Sequence, residues 1–122
     1  MRAMVIDDSR AMRMILKRMI GKLDFEATEA ADGQQALDLL ETMPEVPDLA
    51  LIDYAMPGMN GAEVARAARK QIADVPIIFV TGYAESEQLE AALGPDVAVL
   101  RKPFSVDQLA AAVEQQIAAK KA

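Results

Sequence analysis

The chain has no cysteine and no histidine. Without cysteine there is no disulfide framework, no thiolate nucleophile and no thiolate metal site. Without histidine there is no imidazole metal site, no histidine general base and no phosphohistidine on this chain. No apolar run approaches the roughly 20 residues a membrane span needs, so no membrane partner is expected. The start of the chain lacks a signal-peptide pattern, because Arg2 is followed by only a few apolar residues before Asp7. Positive charge is in deficit as well. The net charge of −6 removes the broad basic surface that non-specific nucleic-acid binding requires. A cytoplasmic protein is the expectation.

What is present is one domain's worth of chain, 122 residues, enough for a single core without cross-links. Its central stretch is Leu49-Ala50-Leu51-Ile52-Asp53-Tyr54-Ala55-Met56-Pro57-Gly58. The apolar run is long enough for one buried strand, and Asp53 stands where the run stops. Pro57-Gly58 marks a turn. In open α/β sheets, ligands and chemistry gather outside the carboxyl ends of the strands, which is where this places Asp53.

The same grammar recurs along the chain. Residues 3–6 form a short apolar run that ends in Asp7-Asp8. Met12, Ile15, Leu16, Met19, Ile20 and Leu23 then repeat at helical spacing, and Arg10, Arg13, Lys17, Arg18 and Lys22 read as the solvated remainder of that helix. Residues 25–30 read as a partly polar strand near a sheet edge. Asp32 and Gln35 have the spacing of a helix cap, followed by Ala36, Leu37, Leu40 and Met43. Asn60 and Glu63 repeat that cap before a helix over 64–72. Residues 76–81 are a buried strand ending in Thr81, Gly82-Tyr83 turns out of it, and 85–93 form a weakly amphipathic helix. Residues 97–100 are a fifth strand, followed by Arg101-Lys102-Pro103. Ser105 caps a last helix with Leu109, Val113 and Ile117 on its stripe. Apolar strands alternating with helices predict an α/β fold, a five-stranded parallel sheet with five helices on both faces.

Four strands thus end in a reactive side chain: Asp7 and Asp8, Asp53, Thr81, and Lys102. In a parallel sheet these ends share one edge. Clustered carboxylates repel and raise one another's pKa unless a cation sits among them. With only oxygen donors available, that cation is hard: Mg²⁺, or Mn²⁺ as a substitute. An ion held by Asp8 and Asp53 keeps positions open for phosphate oxygens, Lys102 adds a point charge, and Thr81 adds a hydroxyl. Asp53 is then the natural nucleophile. Each residue alone has an ordinary role: Asp8 or Ser9 as a helix cap, Asp53 as a turn acid, Thr81 as a strand end, Lys102 as a surface lysine. Their coincidence at one end of different strands favours the site.

The motifs V-I-D-D-S-R, L-I-D-Y-A-M-P-G-M-N-G, F-V-T-G-Y and R-K-P-F are similar to those of response-regulator receiver domains of two-component signalling, of the stand-alone chemotaxis-regulator (CheY-like) type. The resemblance covers essentially the whole chain and implies a flavodoxin-like, doubly wound fold with a single receiver domain over 1–122. It implies that Asp53 accepts the phosphoryl group, that Asp7, Asp8, Asp53 and the backbone carbonyl of Ala55 hold Mg²⁺, and that Thr81 and Lys102 contact the phosphoryl group. It also implies a cis Lys102–Pro103 bond, which aims the lysine. The expected partners are a sensor histidine kinase and a downstream protein target, with the chain a monomer. The alternative is a phosphorelay intermediate or phosphate sink that passes phosphate to a histidine phosphotransfer protein. The chain is expected to be no turnover enzyme, with self-phosphorylation and self-dephosphorylation its only chemistry. One position departs from the family pattern: Val99 stands where many receivers carry Tyr or Phe, which points to Tyr83 as the aromatic that responds to Thr81.

A phosphatase with an aspartyl-phosphate intermediate is the reading from another class. Such enzymes need a second acid two residues after the nucleophile, and Ala55 occupies that place. A nucleotide-binding module is weaker still, since no glycine-rich loop follows the first strand and Asp7-Asp8 would repel a pyrophosphate. A degenerate receiver is disfavoured because all five side chains of the site are present.

Overall fold

The computed structural model describes the backbone of residues 1–72, 74–93 and 98–121, and the side chains of the same residues except 83–86, 120 and 121. Five strands and five helices alternate: β1 (Arg2–Ile6), α1 (Arg10–Gly21), β2 (Glu26–Ala30), α2 (Gly33–Thr42), β3 (Leu49–Asp53), α3 (Gly61–Gln71), β4 (Ile77–Thr81), α4 (Tyr83–Leu93), β5 (Ala98–Arg101) and α5 (Val106–Lys121). The strands form one parallel sheet in the order β2-β1-β3-β4-β5. This is the doubly wound arrangement, with its switch point between β1 and β3.

Strand alternation sorts the core into two layers. Met4, Ile6, Ala50, Ile52, Ile77 and Phe79 face the side covered by α2, α3 and α4. Ala3, Val5, Leu49, Leu51, Ile78 and Val80 face α1 and α5, where Leu16, Ile20, Leu109 and Val113 cover them. Every residue of β3 and β4 is buried, as expected of strands flanked on both sides and covered on both faces. β2, with its partly polar sequence, is an edge strand.

The caps fall where the sequence places them. Ser9 Oγ accepts from Met12 N–H at 3.2 Å, Asp32 Oδ1 from Gln35 N–H at 2.8 Å, and Ser105 Oγ from Gln108 N–H at 3.1 Å. Asn60 and Glu63 form a reciprocal capping box, at 3.0 and 3.1 Å. Each cap contributes about 1 kcal/mol and, more to the point here, fixes where a helix leaves the sheet edge.

Four expectations shift. Ile15 belongs to the helical repeat but is 47% exposed, because the stripe that meets the sheet is Leu16 and Ile20 and carries Ile15 off to one side. The basic face of α1 is not wholly solvated, since the Arg13 side chain is only 15% exposed. Tyr83 opens α4 rather than lying in a loop, so that helix begins two residues before the expected 85. Of the fifth strand, Val97 lies outside the described residues, and β5 runs one residue further, to Arg101.

Candidate functional site

Register brings the acids together. Ile6 pairs with Ile52 across β1 and β3, so the next residues, Asp7 and Asp53, leave neighbouring strands at the same level. Asp53 stands opposite Val80 on β4, and Thr81 follows opposite Arg101 on β5. Lys102 comes next, and its amide N–H donates to the Thr81 carbonyl at 2.9 Å. The Lys102–Pro103 bond is cis. On the other side of Asp53, Gly58 takes φ +80°, a left-handed turn conformation open to glycine at little cost.

One carboxylate oxygen from each of Asp7, Asp8 and Asp53 lies within 4.8 Å of the others. Asp7 and Asp53 are buried and Asp8 is exposed. Ser9 takes the α1 cap, so Asp8 is left out of that role. The Ser9 amide also donates to Asp7 Oδ1 at 2.8 Å, which fixes one face of that carboxylate. Asp7 Oδ2 and Thr81 Oγ1 are buried with no hydrogen-bond partner. Buried polar atoms without partners cost free energy unless a ligand completes them.

Burial is the main force that raises the Asp53 carboxyl to about 6, and the Asp7 charge adds to it. The Lys102 ammonium and the Ala55 amide, hydrogen-bonded to the carboxylate, pull the other way. Burial also lifts Asp7, against the Ser9 hydrogen bond. Lys102 Nζ stands 3.8 Å from Asp53 Oδ1 and 3.9 Å from Asp7 Oδ2, a shared contact at the long limit of an ion pair. One ammonium facing a set of carboxylates leaves the pocket short of positive charge. The donors are all oxygen, close-set and partly unsatisfied, which fits a hard divalent cation of the Mg²⁺ type.

Residues 3–114 match the family described as the response regulator receiver domain. The chain belongs to this family. The receiver domain is 30% identical over 116 residues to sporulation initiation phosphotransferase F of Bacillus subtilis, covering 93% of this chain and 91% of that protein. It is 34% identical to a stretch of a sensor kinase of Brucella abortus, again covering 93% of this chain but only 12% of the kinase. Among solved structures, a Thermotoga maritima response regulator in complex with Mg²⁺ and beryllofluoride superposes with a TM-score of 0.81 at 30% identity, covering 94% of this chain and 97% of that one. A chemotaxis protein of Vibrio cholerae gives 0.79 at 28% identity, with the same coverage of each. Receiver domains of this family act with histidine kinases and hold Mg²⁺ in an acidic pocket. Among the described residues, no helix is long and apolar enough to cross a membrane.

Asp7, Asp8, Asp53, Thr81 and Lys102 all lie at the carboxyl edge, as the sequence indicated. Ala55 follows Asp53 in the turn towards α3 and meets the carboxylate through its amide. Val99, on β5, is partly buried against the α2–α4 layer. The Tyr83 side chain lies outside the described residues. Sequence reasoning missed Ser9 as a donor to Asp7, and Arg13, whose Nη1 donates to the Asp7 carbonyl at 2.8 Å. Glu29, an acid inside a strand, was the available hint for Arg13, since the two pair at 3.2 Å.

Proposed function

We propose that Asp53 accepts a phosphoryl group from the phosphohistidine of a sensor kinase and that the modified domain changes its affinity for a protein target. The observation that carries this reading is the cluster of Asp7, Asp8 and Asp53 carboxylates facing the Lys102 ammonium on a receiver fold. An Asp53 carboxylate oxygen attacks phosphorus in line. The O–P bond forms as the histidine N–P bond breaks, and the departing imidazole nitrogen keeps the electron pair and takes a proton. Mg²⁺, or Mn²⁺ in its place, held by Asp7, Asp8, Asp53 and the Ala55 carbonyl, would neutralise charge on the transferring oxygens. Lys102 binds a phosphoryl oxygen as a point charge, and the unpartnered Thr81 hydroxyl donates to another.

Ala55 supplies no acid–base group, so water attack on the acyl phosphate lacks a dedicated catalyst, and the domain works as a switch rather than a turnover enzyme. It works in the cytoplasm and as a monomer. Incubation with acetyl phosphate and Mg²⁺ adds a single phosphoryl group, about 80 Da, and Asp53→Asn abolishes it. Equal labelling of the Asn variant overturns the assignment.

A further inference from the structure

Arg13 sits on the flank of α1 and is mostly buried, its side chain 15% exposed. Its Nη1 donates to the backbone carbonyl of Asp7 at 2.8 Å. Its Nε donates to Glu29 Oε1 on β2 at 3.2 Å, and Lys17 Nζ holds the other oxygen of Glu29 at 3.0 Å. The Lys17 hydrogen bond, then its charge, keeps the Glu29 carboxyl below its usual range. The anchor for Arg13 is therefore ionised and itself held in place.

The carbonyl that Arg13 grips belongs to the peptide joining Asp7 to Asp8. A peptide is planar, so fixing its C=O fixes the direction in which the Asp8 N–Cα bond departs. The other side of Asp7 is fixed too: its N–H donates to the Ala30 carbonyl at 3.1 Å. Asp8 itself is exposed, unlike the buried Asp7 before it. Its aim depends on the backbone that carries it.

We propose that Arg13 is a positioning residue for the cation site, clamping the Asp7–Asp8 peptide between β1, β2 and α1 so that the Asp8 carboxylate points at the ion. This rests on the reading of Asp7, Asp8 and Asp53 as the Mg²⁺ pocket. Charge and clamp predict opposite signs. A guanidinium near a cation repels it, so removing Arg13 through its charge alone tightens Mg²⁺ binding. Losing the clamp weakens it.

The test is calorimetric titration of the full chain with MgCl₂ in 0.5 M KCl, where through-space effects are screened beyond about 4 Å. Thermal midpoints are measured alongside to show that every variant is folded. Arg13→Met is expected to weaken Mg²⁺ binding at least fivefold, and Arg13→Lys, which keeps one donor for the Asp7 carbonyl, to recover most of the loss. Asp8→Ala is the control and is expected to cost at least tenfold. Unchanged or tighter binding in Arg13→Met, with Asp8→Ala impaired, overturns the role of Arg13 and leaves the pocket standing. So does a lowered thermal midpoint with unaltered Mg²⁺ affinity. An unaltered Asp8→Ala curve overturns the pocket itself, and this inference with it. Should Arg13→Met fail to fold, Arg13→Gln, too short to reach the Asp7 carbonyl, is judged by the same outcomes.

Discussion

A Cβ on Gly61 would fall 2.7 Å from the carbonyl oxygen of Asp53. It would be equally close to the Tyr54 Cα, and the obstacle is backbone, which cannot swing aside as a flexible side chain can. The Gly61 amide donates to the Tyr54 carbonyl at 2.8 Å, so the first turn of α3 is docked on the chain leaving β3. Tightness at Gly61 and the placement of Asp53 are thus one constraint.

Gly61→Ala must push α3 off the backbone behind Asp53. Overpacking of this kind costs about 1–3 kcal/mol. The variant is expected to lose that much in urea unfolding and to label more slowly with acetyl phosphate. A variant as stable as the parent shows that the loop yields freely and removes the coupling.

Asp53→Asn is expected to stabilise the cation-free domain at neutral pH. The folded carboxyl titrates at about 6, raised first by burial and then by Asp7. An unfolded aspartate titrates near 3.9. Between about pH 4 and 6 the fold therefore binds more protons than the unfolded chain, so the contribution of Asp53 is fully present below that window and lost as pH rises through it. The Asn variant should gain about 1–3 kcal/mol over the parent at pH 7, and little at pH 4. Urea midpoints without divalent ions at both values decide it, and an equal gain at both contradicts the argument.

Lys102→Met separates cation binding from phosphoryl acceptance. Lys102 and a divalent cation draw on the same carboxylates, Asp53 and Asp7. Removing the ammonium should tighten Mg²⁺ binding at least twofold, while labelling by acetyl phosphate slows at least tenfold because a phosphoryl oxygen loses its charge partner. Parallel loss of both properties would assign Lys102 a structural role only.

Thr81→Ala should uncouple phosphorylation from target binding, and Val99→Ala should not. Thr81 Oγ1 is buried without a partner and is free to bond an incoming phosphoryl oxygen. Val99 packs against the α2–α4 layer, its χ1 restricted by the β-branch and with no long side chain to swing. Target affinity with and without beryllofluoride, measured in both variants, distinguishes them. Uncoupling by Val99→Ala alone reverses the assignment.

The local grammar of the chain was legible because it is written in strong signals. Apolar runs ending in Asp7, Asp53 and Thr81 became β1, β3 and β4, and Ser9, Asp32, Asn60 and Ser105 became caps, since a short polar side chain at a helix start has few other partners. Once the strands are parallel, their ends must share an edge, so the site residues followed from strand identity alone. Three-dimensional packing decided the rest. Which helical positions face the sheet depends on how α1 is rotated, and that turned Ile15 outward and Arg13 inward. The bond from Arg13 to the Asp7 carbonyl is made to a backbone atom, which leaves no pattern in the sequence. The raised pKa of Asp53 comes from burial and from Asp7 on the adjacent strand, 46 positions earlier in the chain (53 − 7). Strand and helix identity are local properties of the sequence, whereas burial, rotation and charge proximity exist only after the chain has closed on itself.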